Sequence, residues 1–126
     1  MTEYLYSDLT KEIIAAAMEV HSHLGPGMLE SAYEECLSFE LETRGIKIKR
    51  QAPIPVVYKN IKLECGYRAD IIVDGKVILE LKSVEAINDV HEAQVLTYLK
   101  FSKCKVGLLI NFNVKSLKDG IRRFVL

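Results

Sequence analysis

A carboxylate and a lysine, Glu80 and Lys82, lie two residues apart in the stretch from Val77 to Lys82. The alternation of apolar and polar residues there predicts a β-strand with Glu80 and Lys82 on the same face, roughly 6.5 Å apart. Asp70 lies before the Asp74-Gly75 turn, on the predicted hairpin partner, and adds a second carboxylate. Residues of these types at this spacing can bind a divalent metal ion and position a water molecule.

The chemistry that such a set supports is hydrolysis of a phosphodiester bond. This reaction needs charge neutralisation at the phosphate, a positioned water molecule and stabilisation of the leaving oxygen, and carboxylate-bound Mg²⁺ serves all three. Hard oxygen ligands favour Mg²⁺ or Mn²⁺ over Zn²⁺. The alternative for an isolated acid-x-lysine is a cross-strand salt bridge on a solvated sheet face. The segments around the strand therefore decide between the two interpretations.

Two helices are predicted before the strands. Apolar residues at helical spacing predict a first helix over residues 9–24, which Gly25-Pro26-Gly27 stops. A second helix is predicted from about Met28 to Arg44-Gly45. Glu30 lies in its first turn, where it can project towards the sheet. The alternative is a carboxylate that only interacts favourably with the helix dipole.

A strand-like period follows from Ile46. It predicts strands over residues 46–49, 56–58, 61–63, 67–73 and 76–82. Asp89 and Glu92 predict a capping box that opens a helix to about residue 101. A wholly apolar run over 106–110 predicts a strand buried on both faces, and a final strand is predicted over 121–125. The predicted order is two helices, a group of strands, a third helix and a buried strand.

Gln94 and Tyr98 lie four residues apart on the third predicted helix and share a face with His91. Their side chains could hydrogen-bond a metal-bound water, a phosphate or a base. Alternatively, Tyr98 belongs to the core and Gln94 lies at its boundary. For His91, as for His21 and His23, we expect a packing or capping role.

Composition predicts one globular domain over residues 1–126. The chain is 49% hydrophobic, which suits a sizeable core. No apolar run approaches the roughly 20 residues that span a bilayer, and the acidic N-terminus does not resemble a signal peptide, so we expect a cytoplasmic protein. Cys36, Cys65 and Cys104 are scattered without CxxC spacing, which predicts buried or partly buried thiols rather than a disulfide framework or a zinc site.

Charge is distributed unevenly along the chain, although the net charge is zero. Residues 1–43 contain nine acidic residues and one lysine, a net charge of −8, and residues 44–126 carry +8. This distribution permits a basic surface for a polyanion and an acidic surface elsewhere. The alternative is two solvated helical faces that happen to be acidic.

Gly27-Met28-Leu29-Glu30-Ser31-Ala32-Tyr33 fits the pattern GxxExxY, and residues 20–26 are similar to the usual lead-in of that motif. From about Leu9 to Val125 the chain resembles the GxxExxY proteins, which are placed in the PD-(D/E)XK nuclease superfamily. This resemblance implies a mixed α/β fold with a restriction-endonuclease-like αβββαβ core. The first predicted helix is then an N-terminal addition.

The resemblance also implies roles for the acidic residues and the lysine. Glu30 corresponds to the acid on the first core helix, and Asp70 and Glu80 correspond to the metal ligands. Lys82 corresponds to the lysine of the E-x-K element, which we expect to position the attacking water. We expect the carbonyl oxygen of Leu81 to assist in metal binding.

Gln94 and Tyr98 resemble the Q-x-x-x-Y element of RecB-like exonucleases, which implies that they orient the nucleic acid or stabilise the site. One departure from the superfamily pattern is Ala69, which stands where the motif has a proline before its aspartate. The motif is loosely kept at this position.

We therefore expect a nuclease-like protein that depends on Mg²⁺ or Mn²⁺ and hydrolyses nucleic acid, with DNA favoured over RNA. Recognition of a long duplex site by so small a chain would need a homodimer or a protein partner. Basic residues expected to contact phosphates are Lys47, Lys49, Arg50, Lys59, Lys62 and Arg68.

Two alternatives remain open at the level of sequence. One is a catalytically inactive module of the same fold that binds nucleic acid or has a regulatory role. The other is a protein-interaction module whose acidic helices, with Glu34 and Glu35, dock a basic partner.

Overall fold

The computed structural model describes residues 5–63 and 66–126. Its helices are α1 (Ser7–Leu24), α2 (Glu30–Thr43) and α3 (Asp89–Phe101), and a 3₁₀ helix covers Leu117–Gly120. None of the helices in these two ranges is long and apolar enough to cross a membrane. The strands are β1 (Ile48–Pro53), β2 (Val57–Tyr58), β3 (Ile61–Lys62), β4 (Arg68–Val73), β5 (Val77–Lys82), β6 (Val106–Asn111) and β7 (Ile121–Val125).

Five strands form one mixed sheet in the order β1-β4-β5-β6-β7, while β2 and β3 form a separate hairpin. Within the large sheet β5 and β6 are parallel, and the other neighbouring strands are antiparallel. The series α2, β1, β4, β5, α3, β6 reproduces the predicted αβββαβ order, with α1 as the addition before it. The predicted mixed α/β fold is confirmed.

The central strand β5 is buried on both faces, as its position in the sheet requires. Val77, Leu79 and Leu81 pack in the core cluster that contains α1 and α2 side chains. Ile78 packs in a second cluster with Val95 and other α3 side chains. Alternation along the strand therefore directs Glu80 and Lys82 to the α3 side of the sheet, as predicted.

The first strand was predicted over residues 46–49, and this range is wrong. The backbone N–H of Ile46 still donates to the carbonyl of Leu41 at 3.1 Å, so this residue closes the end of α2 instead of starting a strand. The strand then continues to Pro53. A proline is compatible with β1 because β1 is an edge strand, where one backbone side has no ladder partner.

The predicted capping box at Asp89 and Glu92 is displaced by one residue. The N-cap of α3 is Asn88, whose side-chain oxygen accepts from the His91 N–H at 3.0 Å, while His91 Nδ1 accepts from the Asn88 N–H at 3.1 Å. The predicted capping role of His91 is thereby confirmed. Glu92 instead forms an ion pair with Arg122 of β7.

The two cysteines in the described residues are free thiols, as expected. Cys36 is partly buried and Cys104 is buried. Burial raises the pKa of the Cys104 thiol, which keeps it protonated and unreactive near neutral pH. Cys65 lies outside the described residues.

Candidate active site

Asp70 and Glu80 meet where strands β4 and β5 part. The β4–β5 ladder pairs Ile71 with Leu79, and in the next position two side chains take over the hydrogen bonding. Glu80 Oε1 accepts from the backbone N–H of Asp70 at 3.0 Å, and Asp70 Oδ2 accepts from the backbone N–H of Leu81 at 2.8 Å. Each carboxylate therefore accepts a hydrogen bond from a backbone N–H group that would donate to a backbone carbonyl in a regular ladder. We call this arrangement the carboxylate fork.

Burial makes it unfavourable for the two fork carboxylates to ionise. Glu80 is 3% exposed, and burial, reinforced by the negative charge of Asp70, raises its pKa to about 8. Burial also raises the pKa of Asp70, against the hydrogen bond from Leu81. At neutral pH without a cation, Glu80 is therefore largely protonated. A bound cation would favour the fully ionised pair.

Glu30 extends from the start of α2 to the end of β5. Its Oε2 accepts from the backbone N–H of Ser83 at 3.2 Å, while Ser83 Oγ donates to the Met28 carbonyl at 2.7 Å. The charge of Glu30 also contributes to the raised pKa of Glu80. The structure thus brings Glu30 to the same end of the sheet as the fork, as predicted.

The corner before α2 is held by Tyr33. Its hydroxyl donates to the Gly25 carbonyl at 2.5 Å and accepts from the Met28 N–H at 3.1 Å. Its ring stacks on Phe112, with centroids 4.4 Å apart. Gly27, in the same corner, has φ +93°, a conformation that favours glycine. Tyr33 therefore fixes the geometry of the chain that leads into Glu30.

Replacing Tyr33 with phenylalanine should lower the free energy of unfolding by about 1 to 2 kcal/mol, because the corner loses both hydroxyl hydrogen bonds while the ring stacking is kept. Urea denaturation measures this change. Tyr58→Phe is the matched control, since Tyr58 is 60% exposed. Equal stability of the two variants would contradict the role given to the Tyr33 hydroxyl.

Sequence reasoning missed Glu34 and Gln51, which join α2 to the fork. Glu34 is 8% exposed, and its Oε1 accepts from Gln51 Nε2 at 2.7 Å; the same nitrogen lies 3.4 Å from Asp70 Oδ1. Glu34 follows Glu30 by one helical turn, a spacing that could have revealed it. Gln51 gives no such signal, because its φ of +47° is unusual for glutamine within a strand.

Arg50, one of the basic residues considered for phosphate contacts, has its charge offset by two glutamates of α2. Its guanidinium pairs with Glu34 and Glu35, each at 3.0 Å, on the α2 side of β1. The hydrogen bond that Arg50 donates to Glu34 is the largest factor that raises the pKa of Arg50. The alternative in which Glu34 helps to dock a basic partner gains no support, because Glu34 is 8% exposed and already pairs with Arg50.

Lys82 follows Glu80 by two residues on β5 and is directed to the same side of the sheet. The positive charge of Lys82 lowers the pKa of both Asp70 and Glu80. The N–H of Leu81 points to Asp70. Because N–H and C=O of one residue point to the same neighbour in an antiparallel strand, the Leu81 carbonyl is directed to the β4 side as well.

Gln94 and Tyr98 approach the fork from α3. Tyr98 is 4% exposed and packs in the α3 core cluster, and its hydroxyl accepts from Gln94 Nε2 at 3.0 Å. Burial, and next the charge of Glu80, raises the pKa of Tyr98. The Tyr98 ring therefore belongs to the core, and a role of the pair in binding substrate stays a prediction.

Asn111 is a further residue that the sequence did not single out. It pairs with Lys82 in the β5–β6 register and is 2% exposed. Its side chain accepts from the Val84 N–H at 3.1 Å and donates to the Val84 carbonyl at 2.9 Å. Asn111 thereby fixes the chain just after Lys82. A polar residue directly after the apolar run 106–110 was the available signal.

Of the other two histidines, His21 packs as expected, whereas His23 neither packs nor caps a helix. His21 Nε2 lies 2.8 Å from the Val114 carbonyl, and its ring lies 6.4 Å from that of Phe112 between centroids. His23 pairs with Glu19 on the surface of α1 at 2.9 Å.

The donor set suits a hard divalent cation, although it is not a closed site. Within residues 5–63 and 66–126, no group of three or more His, Cys, Asp or Glu residues is arranged to hold a metal ion. Glu30, Asp70 and Glu80 thus share one end of the sheet without forming such a group. The donors near the fork are carboxylate and carbonyl oxygens, the ligands preferred by Mg²⁺ and Mn²⁺.

The mixed sheet, the flanking helices and the acid-x-lysine strand define a restriction-endonuclease-like α/β fold. A family model described as the PD-(D/E)XK nuclease superfamily matches residues 7–124. The chain therefore belongs to the PD-(D/E)XK nuclease superfamily, whose members generally depend on divalent metal ions and act on nucleic acid. No curated protein and no solved structure matches the chain.

Proposed function

We propose that this protein is a nuclease that hydrolyses phosphodiester bonds of nucleic acid with Mg²⁺ or Mn²⁺. The observation that carries the proposal is the carboxylate fork. Asp70 and the almost fully buried Glu80 are oriented there by backbone N–H groups rather than by salt bridges. The buried carboxyl of Glu80 weakens the fold wherever it ionises beside Asp70, so a purely structural role gives no reason for its place there.

The metal ligands in this proposal are Asp70, Glu80 and the Leu81 carbonyl, with Glu30 facing them from α2. When bound, the cation would neutralise phosphate charge and lower the pKa of a water molecule. The protein contributes orientation, because each fork carboxylate is already held by a backbone N–H. Glu30 is held in the same way by Ser83.

Lys82 is proposed to hold the attacking water and to offset negative charge at the phosphate. Its ammonium lies on the same side of the sheet as Glu80 and affects the pKa of both fork carboxylates. Gln94 and Tyr98 are proposed to orient the nucleic acid. The Tyr98 hydroxyl already accepts from Gln94, so its own proton is available to donate to a substrate oxygen.

We also propose that the chain is a GxxExxY protein within the superfamily. Each named residue of that motif has a separate structural role, which supports the assignment. Gly27 adopts a conformation with positive φ in the corner, Glu30 reaches the end of β5, and Tyr33 ties the corner together.

The direct test replaces Asp70 with asparagine. Asparagine can still accept from the Leu81 N–H, so the fold should be kept, while cleavage of labelled single- and double-stranded DNA and RNA should fall at least about 100-fold. Asp8→Asn is the matched control, since Asp8 is exposed on α1 and lines neither the fork nor any of the hollows described for the protein. Cleavage that is equal in both variants would contradict the proposal.

A second candidate is an inactive module that binds nucleic acid. One observation favours it: among the described residues, the three predicted acids do not form a group arranged to hold a metal ion. Calorimetry with Mn²⁺ separates the candidates, because a nuclease site should bind the ion and lose binding in Asp70→Asn. Binding of nucleic acid with neither Mn²⁺ binding nor cleavage would establish the inactive module.

A further inference from the structure

We propose that a single strand of nucleic acid runs from the carboxylate fork along the α3 side of edge strand β1. This inference rests on the proposed function and adds the form of the substrate and its path. The path is a surface that we call the β1 groove, lined by Lys47, Lys49, Lys62, Tyr67, Arg68 and Lys103.

The β1 groove consists of two adjoining hollows that share Pro55. The hollow on the side of the fork contains Lys62, Tyr67 and Arg68. The other extends to the β4–β5 turn and contains Lys47, Lys49 and Lys103. Because Pro55 belongs to both, a chain lying in one hollow can continue into the other.

The groove begins next to the fork. Arg68 precedes Asp70 by two residues on β4, and its guanidinium donates to the Gln51 carbonyl at 3.5 Å. The side chain of Gln51 in turn contacts Asp70. A strand whose phosphate is held at the fork therefore meets Arg68 within a short distance.

The register of β1 sets which lysines face the groove. Ile48 packs against the α1–α2 core, so its neighbours Lys47 and Lys49 are directed to the other face of the sheet. Lys49 pairs with Ile72, which packs on the α3 side. Arg50, the next residue, is directed back to α2.

Charge distinguishes this groove from the one between α1 and α2, because the two hollows are lined by five cations and by one acidic residue, Asp74, which pairs with Lys76. Among the described residues, no carboxylate lies within 4.0 Å of the ammonium of Lys47, Lys49 or Lys103. The groove between α1 and α2 is instead lined by acidic residues that would repel phosphates, Glu19, Glu35 and Glu40. A polyanion is thus attracted to one side of the sheet and excluded from the other.

Exposed aromatic side chains favour a single strand over a duplex. Tyr58 is 60% exposed and Tyr67 is 43% exposed, and Lys59 Nζ lies 5.5 Å from the centre of the Tyr58 ring. Tyrosines beside cations bind unpaired bases by stacking, whereas a duplex keeps its bases stacked inside. Tyr67 lines the groove beside Lys62 and Arg68, whereas Tyr58 pairs with Ile61 and lies on the opposite face of the β2–β3 hairpin from Lys62.

The test measures binding by fluorescence anisotropy, without metal ions, in a Glu80→Gln parent that is not expected to cleave. The probe is a labelled oligodeoxythymidylate of about 15 nucleotides, close to the largest site sizes of single-strand binding folds. Adding Lys49→Glu and Lys103→Glu should weaken binding at least about 10-fold and reduce its salt dependence. Lys11→Glu on exposed α1 is the matched control and should leave binding unchanged.

A second pair of variants tests whether bases stack on an aromatic side chain of the groove. Tyr67→Ala should weaken binding of the same probe roughly 5- to 100-fold, the range found for loss of one stacked base. Phe39→Ala is the control, because Phe39 is also an exposed aromatic residue, at 66%, but lines the acidic groove.

The outcomes separate this inference from the proposed function. If the wild type cleaves but the lysine reversals bind like the parent, the groove is overturned and the nuclease proposal stands. If binding falls only in the groove variants while the wild type never cleaves, the groove stands and hydrolysis fails. A blunt duplex of equal length that binds the parent as tightly as the single strand would overturn the single-strand assignment.

Discussion

Glu80→Gln should stabilise the metal-free protein at pH 8 while abolishing cleavage. The pKa of Glu80 is raised from 4.5 to about 8 in the folded protein. Between these two pH values the folded state binds more protons than the unfolded state, so the free energy of unfolding falls as pH rises. The slope from this group is at most about 1.4 kcal/mol per pH unit. Glutamine cannot ionise, so the free energy of unfolding of the variant does not fall with pH for this reason.

We expect a gain on the order of 2 to 4 kcal/mol for Glu80→Gln at pH 8, and little difference from the wild type near pH 4. Urea denaturation across this pH range measures it, and Glu85→Gln, on an exposed residue beyond β5, serves as the control. Mn²⁺ should raise the melting temperature of the wild type but not that of Glu80→Gln. A destabilised variant at pH 8 would contradict the burial-driven shift in the pKa of Glu80.

Lys82→Met should lower the rate of cleavage by about 100- to 10,000-fold while leaving Mn²⁺ binding intact. Methionine keeps most of the length of the side chain and removes the ammonium that we propose holds the attacking water. The carboxylate fork does not depend on Lys82 for its hydrogen bonds, which come from the backbone of Asp70 and Leu81. Single-turnover kinetics with saturating substrate measures the chemical step.

Lys76→Met is the matched control, since Lys76 is an exposed lysine in the same hairpin and pairs with Asp74. It should cleave at the wild-type rate. Wild-type cleavage by Lys82→Met would remove Lys82 from the proposed mechanism. Loss of both cleavage and Mn²⁺ binding would instead give Lys82 a structural role in assembling the fork.

The central hairpin could be predicted from sequence because its signals are local. Alternation over Val77–Lys82 and the Asp74-Gly75 turn together fix which face carries Glu80. The position of Glu30 follows from a glycine-rich corner that immediately precedes a helix. In these cases the residues that decide the structure are neighbours in the chain, so the pattern is visible without a fold.

The remaining site residues depend on contacts between distant parts of the chain. Gln51 reaches Glu34, 17 residues earlier, and adopts a backbone conformation that its residue type does not favour. Lys49 and Arg50 are adjacent in a strand, so their side chains point to different faces. Only the pairing of β1 with β4 decides which of the two cations meets α2. The cap of α3 was ambiguous for another reason: Asn88 and Asp89 are both good N-cap residues, and His91 bonds to Asn88.

Because the acidic N-terminal part of the chain forms α1 and α2, the two sides of the sheet differ in charge. The acidic residues of α1 and α2 cover one face, while the lysines of the β1 groove lie on the α3 side. Arg50 is the main exception, since Glu34 and Glu35 bind it at the acidic face. A substrate phosphate would therefore meet repulsion on one approach and attraction on the other.

The irregular backbone of β1 also limits how copies of this protein can associate. An exposed edge strand offers free N–H and C=O groups to a strand of another molecule. In β1, Gln51 adopts a left-handed backbone conformation, and the strand ends in Pro53. In a dimer formed edge to edge through β1, the lysines of the two strands would also lie close together. Continuous sheet extension through β1 is therefore disfavoured, so the conformation that brings Gln51 to Asp70 also protects the protein against fibrous aggregation. The other edge of the five-stranded sheet, β7, carries no such irregularity.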